Sequence, residues 1–153
     1  MNTAIVVTAV ASAALGGVFF AFSSFIMPAL DRIAPAEAMR AMQRINVDVL
    51  CRSFFALFFG VPLLSLGLTV HAGLAWSEPG SALLLTAGLL NILGSFVVTV
   101  VGNVPLNERL AKRSADSANA STLWSTYSKP WVRWNSLRAS ANLAAAALLL
   151  AAA

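Results

Sequence analysis

Gly102-Asn103-Val104-Pro105-Leu106-Asn107 closes a run of 29 residues, 79–107, that carries no formal charge, and Glu108, Arg109, Lys112 and Arg113 follow it at once. An apolar helix that finishes in side-chain amides and then in cations is leaving a bilayer. The amides stand where a buried cavity would meet water. Further charge-free runs cover 1–30, 53–77 and 139–153. The first two exceed the roughly 20 residues of a spanning helix, and a start near Pro130 brings the last to about 23.

Composition agrees with that reading. The chain is 59% hydrophobic and 10% charged, with a mean hydropathy of +0.80, far from soluble usage. The expected fold is all-α: one domain over 1–153, an integral membrane four-helix bundle with spans at about 3–27, 53–76, 80–107 and 131–153. An amphipathic cytoplasmic helix, opened by Pro35, is expected between helices one and two.

A net charge of +4 and a pI near 10.2 would suggest nucleic acid in a soluble chain, so the placement of the charges decides the matter. All ten Lys and Arg fall within 32–52 or 109–138. With four spans those segments share one side, and the positive-inside rule makes that side cytoplasmic, with both termini outside. Topology thus accounts for the basic balance: the expected partners are membrane lipids and no nucleic acid, and the expected location is a bacterial inner membrane. Met1-Asn2-Thr3 lacks the cation of a cleavable signal peptide, so the first run is read as retained. The single Cys51 can form no internal disulfide and reads as packing.

Polar side chains inside the apolar runs are the candidate site. Gly88, Asn91, Ser95, Thr99 and Gly102 share one broad face of helix three that runs into Asn103. Asn107, four residues on, faces the same way. Helix four carries Trp131, Asn135, Arg138 and Asn142 within about 60° of one another. Arg138 sits about 10 Å along the helix from Trp131, where exposure to lipid is costly unless it snorkels or pairs. Asn46 falls in the middle of the apolar side of the amphipathic helix and needs a partner. In helix one, Thr8, Ser12, Gly16 and Ser23 form a small-residue seam. Phe54, Phe55, Phe58 and Phe59 suit either lipid contact or the wall of an aromatic pocket. His71 lies toward the outer end, with no carboxylate at ligand spacing. No HExxH, CxxC or glycine-rich phosphate loop is present, so neither metal nor organic cofactor is expected.

These same stretches carry a family likeness. GGVFFAFSSFIMPAL at 16–30, MQRIN at 42–46, NVPLN at 103–107 and WVRWNSLR at 131–138 together resemble the anthrone oxygenase-like family of small four-helix membrane proteins, whose bacterial members are mostly catalogued as a domain of unknown function. The resemblance implies oxidation of anthrones to anthraquinones without metal or flavin, as fungal members linked to polyketide pathways do. It would make a lipophilic aromatic molecule and molecular oxygen the small-molecule partners.

Such chemistry needs an enolate oxygen stabilised in a dry site. Arg138, Asn135 and Asn103 are the candidate catalytic residues, and Asn46, Asn107, Trp131, Trp134 and Asn142 the candidate substrate contacts. Asp48 and Glu108 are the carboxylates near enough to the boundary to serve as base, with His71 at the far end. The alternative is a non-catalytic membrane protein that binds a hydrophobic ligand or partner, its amides satisfying one another. The small-residue seams also permit a homo-oligomer.

Overall fold

The computed structural model describes residues 3–153, all of whose regular structure is helical. Met1 and Asn2, part of the cation-free start, lie outside the described residues. We number the helical rods in order: α1 Thr3–Leu30, α2 Pro35–Asp48, α3 Arg52–Leu74, α4 Ser81–Ala111 and α5 Ala120–Ala151. Three of these, α1, α3 and α4, are long and apolar enough to cross a membrane.

Helix α1 was expected to stop at Met27, before Pro28, yet it continues to Leu30. Phe22–Ile26 forms a π turn, with the Met27 N–H bonded to the Phe22 carbonyl. Proline ends an α-helix because its ring meets the carbonyl four residues back. The widened turn displaces that carbonyl, so the rod survives the proline. Pro130 likewise does not begin a helix: α5 starts ten residues earlier, at Ala120, and passes through it. The lost backbone bond is offset by a buried face of Trp124, Tyr127, Ser128 and Trp131 on the turns around it.

Helix α4 contains two π segments, Leu90–Val97 and Thr99–Asn103. In an α-helix, residues four apart rotate by about 40° at each step. Turns closed by i→i+5 bonds hold more residues and cancel that drift. Asn91, Ser95, Thr99 and Asn103 consequently stay on one side and are all buried.

Helices α1 and α5 pack along most of their length, and α4 packs on α5. Small residues permit the close approach: a Cβ at Gly94 would stand 2.7 Å from that of Ala141. Helix α3 runs beside α1 and beside the 81–97 half of α4, and stands away from 99–111. At the end of the bundle that holds the 75–80 turn, Ile5, Ala9, Leu68, Leu84 and Leu149 form an apolar plug. Gly80, at φ 86°, makes the turn there, its Cα facing Ala152. At the opposite end α2 lies across the bundle. Its Ala38, Met39 and Met42 are fully covered, while Arg40, Arg44 and Asp48 face outward.

Candidate functional site

Between plug and cap, beside an apolar cluster of Leu15, Phe19, Val61 and Ala139, buried polar side chains form a ladder of hydrogen bonds. Asn91 donates to Ser12 and Ser65 Oγ, both at 2.9 Å, tying α4 to α1 and α3. Asn142 donates to Ser95 Oγ at 2.6 Å and to the Arg138 carbonyl at 2.8 Å. Asn135 donates to the Phe19 carbonyl and Ser23 Oγ, both at 2.6 Å, so its Oδ1 faces Arg138. Nearest the cap, Asn107 Oδ1 accepts from Tyr127 Oη at 3.0 Å and from Trp131 Nε1 at 2.8 Å. Trp124 Nε1 donates to Asp31 at 2.7 Å.

Arg138 is the centre of this arrangement. Its side chain is 6% exposed, and the ion pairs among the described residues, Arg40–Asp116 and Arg44–Asp48, leave it without a carboxylate. Asn135 Oδ1 accepts from Nε at 3.0 Å and from one terminal nitrogen at 2.8 Å, and Thr99 Oγ1 accepts from the other at 3.2 Å. The guanidinium lies 3.9 Å from the Phe19 ring centroid and 5.4 Å from that of Trp131, within cation–π range. A guanidinium has five N–H groups, so three bonds leave two without a protein acceptor.

Arg138 borders a partly open cavity of about 150 Å³. Phe19, Phe22, Phe54 and Phe58 are part of its apolar wall, and Trp131, Asn103, Asn107 and Asn46 also line it. Asn103 is 1% exposed; its amide donates to the Trp131 carbonyl at 3.2 Å, while its Oδ1 has no partner. The cavity thus holds a cation with spare donors and an unpaired acceptor, set in a mostly aromatic and aliphatic lining. A buried polar atom left unpaired costs roughly 1–3 kcal/mol. A guest that accepts from Arg138 and donates to Asn103 would remove that cost.

Five of the eight expected site residues line this space: Asn46, Asn103, Asn107, Trp131 and Arg138. Asn135 lies behind Arg138 and orients it. Asn142, a turn deeper, joins α5 to α4 away from the cavity. Trp134, expected to stack on substrate, packs over Gly102 on the outer side of α5, where a Cβ at Gly102 would come within 2.6 Å of its ring. Neither Asp48 nor Glu108 borders the cavity, both side chains being exposed, and Asp48 is bonded to Arg44. His71 sits near the opposite end of α3. The contributions of Phe19 and Thr99 to holding Arg138 were not read from the sequence, although Thr99 lay on the polar face that was. Beside the cavity, burial pushes the Tyr127 hydroxyl above the ordinary phenol range, while a hydrogen bond with Asn46 and the Arg138 charge pull weakly the other way.

Among the described residues no group of His, Cys, Asp and Glu is placed to hold a metal ion. A family model described as "Anthrone oxygenase" matches residues 52–148, which takes in α3, α4 and most of α5. No curated protein and no solved structure matches the chain.

Proposed function

The chain belongs to the anthrone oxygenase family, and from that premise we propose that it oxidises a lipophilic, enolisable aromatic molecule with molecular oxygen and no cofactor, at the cytoplasmic boundary of a bacterial inner membrane. In this reading α5 from about residue 131 onward is the fourth span, α2 is an amphipathic helix on the cytoplasmic surface, and both termini are outside. The observation that carries it is Arg138: a buried cation with spare donors and no carboxylate, bordering an aromatic cavity.

The reaction converts a ring methylene to a carbonyl. The methylene gives up one proton, and the electrons left behind delocalise onto the ring oxygen as an enolate. Arg138 holds that oxygen, and the peri-hydroxyl beside it donates to Asn103 Oδ1. Electrons pass from the enolate to oxygen, a carbon–oxygen bond forms, and the hydroperoxide gains a proton. Loss of water, with the second methylene hydrogen, then leaves the carbonyl. One oxygen atom ends in the product and the other in water. No carboxylate or histidine borders the cavity, so the first proton goes to solvent base at the cap, and the site acts by making the enolate stable. Donors fixed in a dry, low-dielectric site need no reorganisation as that charge develops.

Oxygen uptake with emodin anthrone in phosphatidylcholine vesicles tests this. Arg138→Gln is expected to lose on the order of 10²-fold in turnover, the effect of removing one oxyanion donor. Equal rates in the two proteins would end the assignment. The extensive bonding of Asn135 and Asn142 to protein atoms favours a second reading, a ligand-binding protein without turnover. Under it the wild type takes up no oxygen, and Asn135→Ala lowers the melting temperature alone.

A further inference from the structure

We infer that the cavity is loaded sideways, from the hydrocarbon of the bilayer, through a window between the first turns of α3 and the last turns of α4, and that its guest is a small aromatic molecule dissolved in lipid. This rests on the membrane placement proposed above and is independent of whether the guest is oxidised.

The aqueous face is closed to a ring-sized guest, though not to water, since the cap-side Asn46 and Asn107 are only half-buried. Helix α2 covers it with Met39 and Met42, 0% and 1% exposed. Gln43 Nε2 fastens that helix by donating to the Leu110 and Arg113 carbonyls, each at 2.9 Å, and Arg40 pairs with Asp116. Lifting α2 would uncover these methionines and break those bonds together.

The side facing lipid is different. Helix α3 follows α4 only as far as the first π segment, where Phe96 meets Phe58 and Phe59 at ring separations of 5.2 and 6.0 Å. Beyond those rings the two helices part. The gap is edged by Leu50 and Phe55 on one side, 58% and 39% exposed, and by Val100 and Val104 on the other, 48% and 38% exposed. All four belong to the cavity lining, so its rim is apolar. Its deep end is Arg138, Asn103 and Trp131, none more than 6% exposed. A guest passing this gradient leads with its polar atom and leaves its ring among the phenylalanines.

Size sets the guest class. An apolar cavity of about 150 Å³ takes a single benzene-sized ring. A fused three-ring molecule exceeds that volume, and the two rings beyond the first would stand in the window between Phe55 and Val104 rather than inside.

The full-length protein in phosphatidylcholine vesicles, photolysed with the lipid-soluble probe 3-trifluoromethyl-3-phenyldiazirine, provides the test. Peptide mapping is expected to find carbene adducts on Met42 and Trp131, which are covered by protein, as well as on the outward-facing Leu63 and Leu66. Val104→Trp fills the window: the Met42 and Trp131 adducts should be lost while those on Leu63 and Leu66 stay, the latter showing that the variant is inserted. Val100→Phe plugs the same gap one turn earlier and should behave alike, so the result does not hang on one variant's folding. Adducts confined to Leu63 and Leu66 in the wild type, or undiminished at Met42 and Trp131 in both variants, would overturn the inference. Because nothing is turned over, a labelled but inactive protein defeats the oxygenase reading alone, and an active protein with an unlabelled cavity defeats this one alone.

Discussion

Replacing Asn107 by leucine asks whether the end of the NVPLN stretch is a packing surface or a hydrogen-bond acceptor. Its Oδ1 takes protons from two side chains, Tyr127 and Trp131, that are 4% and 3% exposed. Leucine would leave both donors buried and unpaired, at roughly 1–3 kcal/mol each. Against this stands the apolar gain of a half-buried leucine, about 1 kcal/mol. The net expectation is a loss of about 1–5 kcal/mol. Asn107→Asp keeps the acceptor and the shape and offers charged hydrogen bonds, so it should stay within about 1 kcal/mol of wild type. Unfolding in dodecyl maltoside with increasing dodecyl sulfate, followed by tryptophan emission, measures both. If the leucine variant proves as stable as wild type while the aspartate variant is the weaker, the acceptor role is refuted.

Two further expectations concern neighbouring residues. Gly102→Ala would drive a methyl into the Trp134 ring, 2.6 Å from Cδ2; overpacking of about 1–3 kcal/mol should outweigh the roughly 1 kcal/mol gained in helix propensity. In a Trp134→Ala background the same change should become stabilising, and a double-mutant cycle by dodecyl sulfate unfolding that shows simple additivity would contradict the contact. Because burial raises the Tyr127 hydroxyl above its unfolded value, the folded state favours the neutral phenol. That contribution is complete below about pH 10, the unfolded value, and is lost as pH climbs above it. The stability difference between wild type and Tyr127→Phe should therefore shrink above pH 10, and a difference that grows there would reverse the sign of the argument.

Much of this architecture follows from local rules. Charge-free runs longer than a bilayer is thick must close their own backbone hydrogen bonds, which makes them helices whatever else surrounds them. Polar side chains recurring every three or four residues in such helices must meet one another, because lipid offers no partner. The row from Asn91 to Asn103 and the row from Trp131 to Asn142 were legible for that reason, and the structure sets them facing each other. Periodicity also placed Trp131 and Arg138 on one side of α5.

What depended on three dimensions was everything set by the rotation and divergence of whole rods. Trp131 and Trp134 are three residues apart in one helix; only the contact with α4 puts the first on the cavity and the second on Gly102. The π turns that carry α1 past Pro28 and straighten the polar row of α4 are not announced by hydrophobic periodicity, which reads the same for a run of apolar residues in either kind of turn. Continuation of α5 through Pro130 likewise rests on tertiary burial outweighing a local penalty. The cavity itself is the space left where α3 turns away from 99–111, and a void between helices belongs to no residue. Which phenylalanines become its wall, and that α2 lies across one end of it, are properties of how the rods lean, and a linear chain does not specify that angle until its side chains interlock.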